Sequence, residues 1–156
     1  MKKALLCIGN PMRGDDDVGN ETGRIVEAAS KIFAVLAVMD EEKGVSLLDE
    51  NSLFKKAKFA YYKAYHDQKQ RWSDGKDEAA FLKTGLDAAG ISEADYQKKL
   101  EDPKVAELLK KWDESYDVAK IQGVPAFVVN GKYLIMTKSI SSIDGMAQLI
   151  EELFKK

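Results

Sequence analysis

Eleven residues, Gly123-Val124-Pro125-Ala126-Phe127-Val128-Val129-Asn130-Gly131-Lys132-Tyr133, constrain the fold more than any other stretch of the chain. The apolar run Ala126 to Val129 reads as a buried strand. Asn130-Gly131 suits a two-residue type I′ turn, in which both positions need positive φ, and Lys132 to Met136 reads as the returning strand. A proline directly before a strand has two readings. It can open the strand, where its missing N–H does no harm. It can also be held cis in a tight loop, because an X-Pro bond loses most of its trans preference. The residues themselves leave both open.

Most of the remaining chain has helical pattern. From about Asn20 to Glu42, Ile25, Ala29, Ile32, Leu36 and Met39 recur at spacings of three and four and predict one apolar stripe, with Gly44 as the stop. A second helix is predicted from Asn51 to about Trp72, with Leu53, Phe54, Ala57, Tyr61 and Tyr65 on one side, broken by Ser73-Asp74-Gly75. A third runs from Asp77 to Ala89 and ends at Gly90. Ser92 with Asp95 three residues on predicts an N-cap with a variant capping box. Asp102-Pro103, a capping acid followed by proline at the first helical position, opens a longer helix that ends near Gln122. Its inward residues are Val105, Leu108, Leu109, Trp112 and Tyr116. A last helix spans about Ser142 to Phe154. Ala4 to Ile8 is the third candidate strand.

Composition excludes several classes. At 156 residues the chain is long enough to bury a core. Net charge is −2 with acids and bases interspersed, so no basic surface argues for nucleic acid. The longest apolar stretch, Ile32 to Met39, is far too short to span a bilayer. Met1 to Ile8 begins like a signal peptide, but Gly9-Asn10-Pro11 interrupts its apolar part, so no export signal is read. The single cysteine, Cys7, rules out an internal disulfide framework and an all-cysteine metal site.

From about Lys31 to Lys156 the chain resembles DsbA-type thiol:disulfide oxidoreductases, from their helical insertion onward. The resemblance is carried by Gly123-Val124-Pro125, by Phe127 to Tyr133, and by the order of the capped helices. It implies an α/β, mostly helical fold: a partial thioredoxin-like sheet of about three strands with an inserted helical subdomain. Residues 1–40 and 121–156 would form the thioredoxin-like portion and 41–120 the insertion. It further implies that Pro125 is cis, that Val124 faces an extended substrate peptide, that no cofactor is needed, and that the setting is periplasmic. Without an export signal, the chain taken as complete would be cytoplasmic.

The departure lies in the chemistry. The family works through a C-x-x-C pair at a helix start, where the helix N-terminus lowers the thiol pKa. Here Cys7 stands alone inside Ala4-Leu5-Leu6-Cys7-Ile8 and reads as a small buried hydrophobe. Dithiol exchange needs an attacking thiolate and a second, resolving thiol. No catalytic residue is therefore assigned.

The first 28 residues resemble something else. Gly9-Asn10-Pro11-Met12-Arg13-Gly14-Asp15-Asp16-Asp17-Val18-Gly19 with Arg24 to Ala28 is similar to the opening of hydrogenase maturation endopeptidases. That resemblance implies nickel at Asp16. Nickel needs several convergent ligands, typically imidazole and carboxylate. The only histidine, His66, falls on a helix beside Tyr62 and Tyr65 and reads as a surface or boundary residue. Asp15-Asp16-Asp17 is sufficiently explained as acid at a helix N-terminus, the reading preferred over a metal site.

Three functions follow: a DsbA-like protein without dithiol turnover that retains peptide binding at Val124 and Pro125; a nickel-dependent endopeptidase; or an inert chimeric scaffold. If Ala4 to Ile8 replaces the strand that leads to C-x-x-C, it should pair antiparallel with Ala126 to Val129. The aromatics Phe54, Phe59, Tyr61, Tyr62, Tyr65 and Trp72 are expected in the core, with Tyr62 the most exposed, and the lysines among them on a solvated face. Oligomeric state is left open.

Overall fold

A computed structural model describes residues 5–8, 21–122 and 126–156. Along the chain these form β1 (Leu5–Ile8), α1 (Glu21–Glu42), α2 (Leu53–His66), the single turn α3 (Trp72–Gly75), α4 (Glu78–Ala89), α5 (Glu93–Leu100), α6 (Pro103–Gln122), β2 (Ala126–Val129), β3 (Tyr133–Ile135) and α7 (Ile143–Leu153). The fold is α/β and mostly helical, as expected. It divides into two compact units, Asp16–Lys110 and Met1–Asp15 with Lys111–Lys156.

The starts of the helices are written in the sequence. Asp77, Ser92 and Ser142 each accept a hydrogen bond from the backbone N–H three residues on, which satisfies one of the orphan donors of a first turn. At Ser92 the box differs from the expected form. The hydroxyl donates to the Asp95 carboxylate at 2.6 Å, so the acid grips the cap side chain rather than its backbone. Asp102 accepts from the Lys104 N–H at 2.9 Å, with Pro103 at the first helical position. Gly90 closes α4 at φ +68°, the left-handed conformation that glycine adopts without penalty.

In the unit Asp16–Lys110, α1 packs against α2, α3, α4 and α5. The expected single stripe is too narrow a description. Ile32 and Leu36 are buried, Ala29 and Met39 only half-buried, while Ala28, Ala34, Val35, Ala37 and Val38 are buried as well. Four partners surround the helix, so it is covered over most of its circumference. Gly85 of α4 makes the closest approach: a Cβ there would stand 2.3 Å from the Tyr61 hydroxyl and 2.6 Å from Ile32 Cδ1. The Tyr61 phenol donates to the Phe81 carbonyl at 3.0 Å.

The second helix ends sooner than expected, at His66 rather than Trp72. Lys69 donates from Nζ to the His66 carbonyl at 2.6 Å, and Arg71 from Nη1 to the Tyr65 carbonyl at 2.7 Å. Two basic side chains thus satisfy the orphan carbonyls of the last turn, and the chain turns through Lys69 at φ 57°.

A buried carboxylate begins the same helix. Asp40 of α1 accepts from the Ser52 hydroxyl at 2.8 Å, the Leu53 N–H at 2.9 Å and the Phe54 N–H at 3.1 Å. Ser52 in turn accepts from the Lys55 N–H. The first turn of α2 is therefore capped from its own chain and from α1 together.

Candidate functional site

The candidate site rests on a three-stranded sheet in the order β1-β2-β3, both pairs antiparallel. Leu5 pairs with Val129, Leu6 with Val128, Cys7 with Phe127 and Ile8 with Ala126. This is the antiparallel pairing the sequence suggested. It places the end of β1, Ile8, directly opposite the start of β2, Ala126.

The hairpin between β2 and β3 has the expected geometry. Asn130 and Gly131 lie at φ 53° and 66°, and the Lys132 N–H closes the turn onto the Val129 carbonyl at 3.1 Å. Asn130 also donates from Nδ2 to the Leu153 carbonyl at 3.3 Å, which ties the turn to the end of α7. Along β2, Ala126, Val128 and Val129 are buried and Phe127 half-buried. Neighbouring strand residues point to opposite faces, so burial of both Val128 and Val129 means both faces of the central strand are covered.

Val124, Pro125 and Asp16 lie outside the described residues, as does the acidic stretch Asp15 to Asp17. The cis state expected for Pro125 lies there too. Cys7 belongs to β1, where its backbone pairs with Phe127. His66 is exposed at the end of α2, its ring 4.3 Å from Tyr62 and 5.0 Å from Tyr65. Among the described residues no group of three or more His, Cys, Asp or Glu side chains is placed to hold a metal ion.

The aromatic expectation divides residue by residue. Tyr61 and Trp72 are buried and meet Phe81, which stacks on Tyr61 at 4.3 Å and meets Trp72 edge-on at 5.2 Å. Phe54 packs on Phe33 at 4.8 Å. Phe59 and Tyr62 are both exposed, at 59% and 58%, so Tyr62 is not alone in facing solvent. The exposure of Tyr62 is as expected and that of Phe59 is not, and both lie opposite the Ala57-Tyr61-Ala64 row by helical spacing.

Among the described residues, the shifted titrations lie in the helical unit. Burial pushes the Tyr96 phenol up to about 12, with the Glu78 carboxylate adding to it. Burial also raises Tyr61 well above its ordinary range, opposed by a backbone contact from Gly85 and assisted by Tyr96. Lys99 is raised by its hydrogen bonds to Asp102 and Glu42, and Asp102 is lowered chiefly by Lys99. This bridge, at 2.8 Å to Asp102 and 2.7 Å to Glu42, joins the end of α1 to the α5–α6 junction.

A family model for the DSBA-like thioredoxin domain matches residues 26–151. The chain belongs to that family. The thiol:disulfide interchange protein DsbL of Escherichia coli O6:H1 is 67% identical to it over 134 residues, which is 86% of this chain and 60% of the relative. The protein of the same name from Klebsiella pneumoniae gives the same figures. The crystal structure of reduced DsbL superposes with a TM-score of 0.76 at 68% identity, covering 83% of this chain and 67% of that one. That of Salmonella enterica serovar Typhimurium DsbL gives 0.76 at 65%, covering 83% and 65%. The chain thus spans about 60% of the length of the curated relatives it matches. Of the stretch that resembles a hydrogenase maturation endopeptidase, Gly9 to Gly19 lies before the matched span and outside the described residues, Arg24 to Ala28 falls within α1, and no comparison supports that resemblance.

Proposed function

We propose that this chain is a DsbA-like protein that takes extended protein segments along the edge at Val124 and Pro125 and does not itself complete dithiol–disulfide turnover. The observation that carries the reading is a family match over residues 26–151 in a chain with one cysteine. The relatives are named as thiol:disulfide interchange proteins. A lone thiolate at Cys7 can attack a substrate disulfide, forming a mixed disulfide and releasing one substrate thiolate. Resolution needs a second thiolate to attack the Cys7 sulfur and expel the remaining substrate sulfur. This chain has no second thiol to supply it. The chemistry runs on sulfur alone and calls for no cofactor.

An extended segment adds backbone hydrogen bonds along a strand edge, and side-chain pockets select among segments. The antiparallel ladder β1-β2-β3 supports this reading, because Ala126, which follows Pro125 in the sequence, pairs with Ile8 at the end of β1. The thioredoxin-like portion is taken as 1–40 with 121–156, which holds the three strands, most of α1 and α7, and the insertion as 41–120, which holds α2 to α5 and most of α6. An oxidising compartment outside the cytosol suits a family that handles disulfides. Nickel at Asp16 belongs only to the alternative reading of the first 28 residues as a maturation endopeptidase.

An insulin-reduction assay of the chain beside Cys7→Ser tests the redox half. Both should stay at background, and substantial Cys7-dependent turnover would overturn the reading. Anisotropy of a labelled extended peptide tests the binding half: Pro125→Ala should weaken it by about tenfold, and unchanged affinity would remove the proline loop from the site.

A further inference from the structure

The outward face of α2 is unlike any other helix surface described. Its 14 residues include Lys55, Lys56, Lys58 and Lys63 and no acid. Lys56, Phe59 and Lys63 fall on one row of the helix, and Lys58, Tyr62 and His66 on the next, at the three- and four-residue spacings that make side chains neighbours. All six are exposed. Opposite them Ala57, Tyr61 and Ala64 are buried, so the helix cannot turn this face inward.

Local stability does not explain the strip. Lys55 is paired with Glu50 and donates to the Leu48 carbonyl, but Lys56, Lys58 and Lys63 have no carboxylate partner among the described residues. Three of the four lysines stand in the first two turns, where the helix dipole disfavours cations and a stability-tuned sequence carries Asp or Glu. Between them lie two aromatic rings with more than half their surface in water. Exposed aromatic rings ringed by unpaired charge mark a recognition surface rather than a solvated one.

We infer that this face of α2 docks a short acidic segment of a partner protein, its carboxylates on Lys56, Lys58 and Lys63 and its apolar side chains on Phe59 and Tyr62. The length of the strip selects this occupant. Fourteen helical residues extend about 21 Å, and carboxylates close both ends, Glu50 before the helix and Asp67 after it. A long polyphosphate would run onto those acids, whereas a short segment fits between them. The site lies on the helical unit and does not depend on any redox activity of the chain.

The test is fluorescence anisotropy with the full chain and a short labelled peptide alternating Glu with Phe. Salt-sensitive binding is expected, weakened about tenfold or more by Lys56→Glu/Lys58→Glu/Lys63→Glu and, separately, by Phe59→Ser/Tyr62→Ser, with Lys98→Glu on α5 as an unaffected control. The second variant keeps the test open if the first fails to fold, as judged by circular dichroism. Absent binding, binding indifferent to both variants, or tighter binding to oligo-dT or phosphatidylserine vesicles than to the peptide would each overturn the proposal.

Discussion

In the helical unit one helix, α1, is covered over most of its surface, and Ile32, Val35, Leu36, Tyr61 and Phe81 are fully buried around it. In the sheet-bearing unit α7 buries no residue at all, and Ile143 at its start is 88% exposed. Both helices are amphipathic in sequence, so pattern does not separate them. The number of elements that close on each does. Helices α2 to α5 converge on α1, whereas among the described residues of the other unit the buried apolar ones are Ala126, Val128, Val129 and Ile135, on two short strands. The helical unit carries a core of its own around α1.

Large truncations should expose that difference first. Tyr61→Ala removes a buried ring, its contacts with Phe81 and Trp72 and the hydrogen bond to the Phe81 carbonyl. It should cost about 3–5 kcal/mol in denaturant unfolding. A cost near 1 kcal/mol would mean that the aromatic cluster is not the centre of that unit. Next comes Asp40→Ala, which strips three donors of their acceptor at the start of α2 and should cost about 2–3 kcal/mol.

The alkaline limb gives a smaller and directional effect. A phenol whose folded pKa lies above its unfolded value of 10.0 stabilises fully below that pH, and the contribution is lost as pH rises through the folded value. Stability should therefore fall from pH 10 towards 12, the folded value of Tyr96. Tyr96→Phe should flatten that fall, and an identical slope in the variant would detach it from Tyr96. The smallest effect belongs to the other unit. Ile143→Ser should change stability by no more than about 0.5 kcal/mol, and a large loss would erase the contrast between α7 and α1.

Much of the framework was legible because its signals are local. Asp77, Ser92, Asp102-Pro103 and Ser142 act within one turn of themselves, and Asn130-Gly131 needs only its own φ angles. The strand pairing was legible through the family resemblance, with Ala4 to Ile8 in the place of the strand that leads to C-x-x-C. The end of α2 was not, because its capping side chains, Lys69 and Arg71, lie beyond the helix and reach back to it. The exposure of Tyr62 was legible, whereas that of Phe59 depended on which face of α2 its partners cover.

By itself, then, the sequence determined where elements begin, where the hairpin turns, and that its one cysteine is Cys7. Those depend on covalent identity and on backbone groups a few residues apart. Only the tertiary structure decided that Asp40 is a buried cap rather than a surface acid, that α1 is enclosed on most sides, and that Phe59 and Tyr62 remain in water. Each of these depends on which distant elements arrive at a given face, and burial and hydrogen-bond satisfaction are settled only once they have arrived.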